Sequence, residues 1–135
     1  MTSMQRLIAG DEGIPGESDA LILRAAQGAY QARRERSRLF GSNLFSDPAW
    51  DLLLYLFLAS GDGRGVTVTE ACQAASVPTS TALRWIGHLV DRKLLLRVGS
   101  PKDRRAVLLY LSGTGRQRMA DFFTRFAVYA GSQLP

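Results

Sequence analysis

Residues 67–93 read TVTEACQAASVPTSTALRWIGHLVDRK, and the punctuation of this stretch decides the fold. Thr67 and Glu70 have the spacing at which a threonine hydroxyl accepts the glutamate amide hydrogen while the glutamate side chain reaches back. A helix is therefore expected from Val68 to about Ala75. Ser76, Val77 and Pro78 interrupt it, because proline biases the residue before it away from helical angles. A second helix follows from Thr79 to about Lys93. At about 100° per residue, Ala82, Ile86, Leu89 and Val90 share one side and form a core stripe. Ser80, Arg84, Gly87, His88 and Asp91 lie opposite, with Thr81 and Trp85 at one margin.

That outward face holds short polar residues, one arginine, one histidine and a glycine, where a merely solubilising face would carry Lys and Glu in number. Small residues permit close approach, arginine can make paired bonds to guanine, and Ser or Thr can bond bases or phosphate. Two short helices joined by a tight turn, the second with such a face, make a helix-turn-helix whose second helix, residues 79–93, suits the major groove of double-stranded DNA.

Downstream, Leu94, Leu96 and Val98 alternate with Leu95 and Arg97, and Val107, Leu109 and Leu111 alternate with Ala106, Leu108 and Tyr110. Both runs have the period of strands and read as one antiparallel hairpin. The connection, residues 99–105, is longer than a tight turn needs and carries Lys102, Arg104 and Arg105. A basic tip of this kind can follow a minor groove, whose negative potential attracts arginine. By itself it is equally an ordinary charged loop. Behind a helix-turn-helix, DNA contact is the better reading.

Upstream, Ser18 or Asp19 can cap a helix running to about Leu39, on which Ile22, Ala26, Ala29, Tyr30 and Arg33 recur on one side. Its arginines, Arg33, Arg34, Arg36 and Arg38, suit the negative end of the helix dipole, a simpler account than DNA contact. Asp47 followed by Pro48 starts another helix, to about Ser60, with Asp47 accepting free amide hydrogens. It is apolar nearly all round and is the expected central core helix. Gly61, Gly63 and Gly65 then mark a turn. Without a preceding strand or a following Gly-Lys-Ser/Thr they do not make a phosphate-binding loop. After the hairpin, Ser112 can cap a last helix whose Met119, Phe122, Phe123, Phe126, Ala127 and Ala130 form a broad apolar face.

Composition sets the outer bounds. The 135 residues suffice for one domain of ordinary size, and 46% hydrophobic with 21% charged residues argues against general disorder. The longest apolar run, Leu52 to Ala59, falls far short of the roughly twenty residues a membrane helix needs, and the N-terminus lacks a secretory h-region. A cytoplasmic location without membrane association is expected. The single Cys72 and lone His88 exclude disulfides and a conventional zinc cage. Cys72 falls at a mostly apolar position and reads as buried packing, not a redox switch. The net charge of +5 is uneven: residues 1–62 hold six basic and eight acidic groups, residues 63–135 eleven basic and four acidic. The positive field thus sits with the helix-turn-helix and hairpin, as a polyanionic partner would require.

The run Val66 to Gly115 resembles the winged helix-turn-helix of MarR-type transcription regulators. The residues carrying the resemblance are Thr69-Glu70-Ala71, Ser80-Thr81-Ala82-Leu83-Arg84, Leu89-Val90-Asp91-Arg92-Lys93, and Asp103-Arg104-Arg105 with Leu111-Ser112 and Gly115. Asp-x-Arg followed by Leu-Ser/Thr-x-x-Gly is the most specific part. The resemblance implies a mainly α fold with a small β-hairpin wing (α+β), a winged helix-turn-helix with flanking N- and C-terminal helices. Residues 1–17, with Gly10, Gly13, Pro15 and Gly16 among Asp11, Glu12 and Glu17 and no sustained period, read as a flexible tail, and the resemblance implies a single domain over 18–135, in which 18–45 and 113–135 are dimerisation helices and 46–112 the DNA-binding unit. Thr79, Ser80, Thr81, Arg84 and His88 would face the major groove. Arg105, with Arg104 and Lys102, would serve the minor groove, and Asp103 would orient the arginines.

The implied function is a homodimeric repressor reading a palindromic operator. Such regulators commonly carry glycine where Lys93 stands, so the turn here is expected to use ordinary backbone angles. Only twenty-three residues follow Ser112, room for one helix where such regulators typically have two. Many of them bind small aromatic or phenolic compounds between the dimer helices and the winged domain. Tyr30, Trp50 and the Phe-rich last helix could line such a site, although core packing explains them more simply. No catalytic residues, cofactor or metal are expected, because the lone histidine lies on the outward face of the second helix and no nucleophile–base–acid set survives. The competing reading is a winged-helix module for protein association, in which exposed apolar residues such as Leu108 or Phe126 would matter more than Arg84 and Arg105.

Overall fold

The computed structural model describes residues 17–41, 44–99 and 106–133. The elements are α1 (Glu17–Phe40), α2 (Pro48–Gly61), β1 (Val66–Thr67), α3 (Val68–Ala75), α4 (Thr79–Asp91), β2 (Leu95–Gly99), β3 (Val107–Leu111) and α5 (Gly113–Gln133). Five helices and a three-stranded antiparallel sheet of order β1-β3-β2 make a winged helix-turn-helix with flanking helices. The expected hairpin is β2 and β3, in a register that sets Leu95 opposite Leu111 and Arg97 opposite Leu109. Successive side chains leave opposite faces of a strand, so Leu95, Leu109 and Leu111 turn inward together. The third strand adds Val66 opposite Leu109 and Thr67 opposite Leu108. The expected tail, residues 1–17, lies outside the described residues except for Glu17, which opens α1.

Helix α2 sits at the centre, touching α1, α3, α4, α5 and β3. Its Leu52, Leu54, Leu56 and Phe57 are buried, as its all-round apolar sequence requires. Phe57 stacks parallel on Phe123 of α5 with ring centroids 6.1 Å apart, and Trp50 meets Phe122 edge-on at 5.0 Å. The start of α2 departs from expectation. Pro48 occupies the first turn, but the Asp47 carboxylate makes no capping bond; its main-chain carbonyl accepts the Asp51 amide. Its charge instead acts on Arg33, whose guanidinium is held protonated chiefly by its hydrogen bonds to the Asp51 carboxylate. This two-pronged contact ties α1 to α2 in a half-buried setting. Arg33 is thus an interhelical tie, beyond any service to the helix dipole.

The turns around α3 and α4 follow from a few residues. Thr67 and Glu70 form the expected capping box, with the Glu70 amide donating to the Thr67 hydroxyl at 3.1 Å. Ser76 closes α3 in the left-handed region at φ 55°, its amide donating to the Gln73 carbonyl. At the far end α4 stops at Asp91, and Lys93 takes φ 62°. The expectation of ordinary angles there is overturned. The Lys93 amide donates to the Val90 carbonyl and the Leu94 amide to the Leu89 carbonyl, a bond pair that closes only around a left-handed residue. A side chain in that conformation costs about 1 to 2 kcal/mol.

The segment Leu111-Ser112-Gly113-Thr114-Gly115 also acquires a physical reason. Ser112 caps α5 as expected, accepting the Gly115 amide at 2.9 Å, and its hydroxyl donates to the Lys93 carbonyl at 2.7 Å. A Cβ on Gly115 would collide with the Leu94 carbonyl oxygen, so only glycine permits this approach.

Candidate nucleic-acid interface

Helix α4 divides its surface as the sequence requires. Ala82, Ile86 and Leu89 are buried, while Thr79, Ser80, Arg84 and His88 are exposed. Thr81 is half-buried at the margin with Trp85, whose indole meets the His88 ring edge-on at 5.4 Å. The structure thus brings Ser80, Arg84 and His88 onto one accessible side of one rigid element, with Thr81 at its edge; Thr79, also exposed, opens the helix and lies about 180° around its axis from His88. The sequence reading put Gly87 on this surface, as a small residue permitting close approach, and did not place Leu83 there. Leu83 is exposed despite its apolar character, and Gly87 stands in open space. The signal for Leu83 was its position between the stripe and the polar face.

Cations are available around this face. Ion pairs among the described residues join Arg33 to Asp51, Arg38 to Glu35 and Arg64 to Glu70. Arg84, Arg92, Lys93 and Arg97 enter none of them and are exposed. The remaining expected contacts, Lys102, Asp103, Arg104 and Arg105 of the hairpin tip, lie outside the described residues.

A second feature lies between α1 and the C-terminal half of α2, a cleft of about 560 Å³ lined by Leu23, Arg24, Tyr30, Tyr55, Leu58 and Arg64, among others. Tyr30 lies where an effector site was considered. Trp50 does not line this cleft, because it sits in the first turn of α2 against Phe122 and Phe123. Beneath the cleft, Tyr55 Oη and Arg64 Nη1 both donate to Glu70 Oε2, at 3.0 and 2.9 Å. Arg64 holds the Glu70 carboxyl below its ordinary range, and Glu70 in turn holds Arg64 charged. The carboxylate that caps α3 is therefore also the partner of two cleft residues. Cys72, buried in the same helix, has its thiol pushed up by loss of solvent, which opposes thiolate chemistry.

No protein-family model matches the chain, and no curated protein matches it in sequence. Solved structures do. The chain is similar to Staphylococcus aureus MepR in a MepR–DNA complex, with 18% identity, a TM-score of 0.57, and 83% of this chain and 87% of the other covered. It is similar to the transcriptional regulator Tm0710 of Thermotoga maritima, with 22% identity, a TM-score of 0.53 and coverage of 84% and 78%. Heme-free PefR matches with 17% identity, a TM-score of 0.51 and coverage of 84% and 93%. The chain shares the winged helix-turn-helix fold of these structures. Within this fold, α3 and α4 are the helix-turn-helix, β2 and β3 the wing, and α1 and α5 the flanking helices. Among the described residues no helix is long and apolar enough to cross a membrane, and no three His, Cys, Asp or Glu side chains cluster as metal ligands would.

Proposed function

We propose that the protein is a DNA-binding transcription regulator, a homodimeric repressor that reads a palindromic operator. One observation carries this reading: α4 is locked to the core by Ala82, Ile86 and Leu89 while Ser80, Arg84 and His88 are exposed on its opposite side. Major-groove readout needs such a rigid, short-chained, cationic face. Thr79, Ser80 and Thr81 serve phosphates and bases at the leading end, Arg84 pairs with guanine, and His88 extends the contact. Lys102, Arg104 and Arg105, oriented by Asp103, serve the minor groove. The likeness to a protein solved on DNA supports this reading.

Residues 18–45 and 113–135 pair with a second copy, for which exposed Leu21, Leu39, Phe40, Phe122 and Phe126 supply apolar surface. Residues 46–112 form the DNA-binding unit, and the protein works in the cytoplasm. A small aromatic effector would enter the cleft lined by Tyr30 and Tyr55, whose rings pack on each other at 6.0 Å. An acidic group on that effector would compete with Glu70 for Arg64 and so address α3 directly.

The deciding experiment selects duplexes from a random pool and measures their binding against salt. A two-fold symmetric motif is expected, with log K falling by about 0.9 per phosphate contact for each unit of log salt. Arg84→Ala and Arg105→Ala should each weaken binding by about tenfold or more. Retained operator affinity in both variants would overturn the docking. Failure to select any motif would favour the protein-association reading.

A further inference from the structure

Gly87 lies inside α4 with helical backbone, and a Cβ built there meets nothing within 4 Å. Glycine inside a helix is less stable than alanine, so the protein's own packing gives no reason for it. Gly65 and Gly115 differ: a Cβ on the first would come within 2.6 Å of the Tyr110 hydroxyl, and on the second would strike the Leu94 carbonyl. One turn before Gly87 stands Leu83, 44% exposed, on a helix that buries Ala82, Ile86 and Leu89. Residues four apart are surface neighbours on a helix, so Leu83 and Gly87 adjoin, with Ser80 and Arg84 beside them.

The exposed leucine leaves apolar surface in water, and the glycine beside it costs the helix conformational entropy. A surface that closes tightly against the helix would cover both. The exposed Arg84 on this face, with Arg92 and Lys93 just past the end of α4 and Arg97 in β2, suits a polyanion. In the major groove of a duplex, the apolar group that projects from the base edges is the C5 methyl of thymine.

We infer that Leu83 packs against a thymine methyl group in each half-site and that the bare backbone at Gly87 lets α4 close against the duplex. This inference rests on the DNA-binding reading above and adds a specificity residue to it.

The test uses the full chain and duplexes that the wild-type protein selects from a random pool. Each thymine is replaced in turn by deoxyuridine, which removes only the methyl. One position per half-site should lose about fourfold in affinity for the wild type. Leu83→Ala should bind more weakly at the start and be indifferent to the same replacement. Gly87→Ala should melt about 4 °C higher and yet bind at least tenfold more weakly, because the added methyl stabilises the helix and holds it off the DNA.

A motif that requires no thymine, a wild type indifferent to deoxyuridine, an equal loss in Leu83→Ala, or unchanged affinity in Gly87→Ala would each overturn this inference while leaving DNA binding intact. Failure of the wild type to select any duplex would overturn the DNA-binding reading itself, and this inference with it.

Discussion

Helices α2 and α5 meet through the stacked rings of Phe57 and Phe123, yet they treat their apolar residues in opposite ways. In α2, Leu52, Leu54, Leu56 and Phe57 are each at most 2% exposed. In α5, Met119 and Phe123 are buried, but Phe122 and Phe126 remain 48% and 51% exposed and stack on one another at 6.4 Å. Helix α1 resembles α5, with Leu21, Leu39 and Phe40 turned outward. Leu83 apart, the winged core covers its large apolar side chains, whereas α1 and α5 leave several exposed. Exposed apolar side chains of this kind, with Phe122 stacked on Phe126, favour the proposed pairing through α1 and α5.

Four substitutions would break or sharpen this contrast. Leu54→Ala should lower the unfolding free energy by about 3 kcal/mol, since a fully buried leucine leaves a cavity that the five elements around α2 cannot close. A loss under about 1 kcal/mol in denaturant titration would remove α2 from the centre of the core. Lys93→Gly should raise stability by about 0.5 to 1 kcal/mol, as relief of the left-handed strain outweighs the freer unfolded chain. Glu70→Gln should act through pH.

Because Arg64 keeps the folded Glu70 carboxyl below its ordinary range, the unfolded chain takes up this proton first as pH falls. The pair's contribution is then full above about pH 4.3 and fades as pH drops through the lower folded value. Glutamine keeps the capping geometry and removes the charge. It should flatten the acid limb of a stability–pH curve by about 0.5 kcal/mol, a small figure because the pair is substantially solvated. An unaltered acid limb would show that Arg64 and Tyr55 leave Glu70 energetically indifferent. Smallest of all, Phe126→Ser should leave the melting of the isolated chain nearly unchanged while weakening the proposed pairing of copies, read by sedimentation. A large fall in melting would place Phe126 in the core instead.

The legible parts of the molecule were those set by local chemistry. The Thr67–Glu70 box fixed the bounds of α3, Pro78 fixed the start of α4, and period-two runs fixed β2 and β3. What was not legible depends on contacts between residues distant in sequence. Strand β1 is two residues long, too short for any periodicity, and exists because β3 offers it an edge. Arg33 meets Asp51 and Tyr55 meets Glu70 across eighteen and fifteen residues of chain, beyond what helical spacing can anticipate. Lys93 was misjudged because a residue's identity biases its backbone angles, whereas the six-residue bond from Leu94 to Leu89 imposes them. At the candidate site, helical phase set Ser80, Arg84 and His88 on the exposed side of α4, and the same phase puts Leu83 between the packed stripe and that side.

The hydroxyl of Ser112 accepts from the first turn of α5 and donates to the carbonyl of Lys93, just past the last turn of α4. Mechanically it is a pivot pin. Torque applied to the long shaft of α5 by a neighbouring molecule would reach the rear of α4 through the hydroxyl and amide of Ser112, bonded to the Lys93 and Leu94 carbonyls, and through α2, which touches both helices.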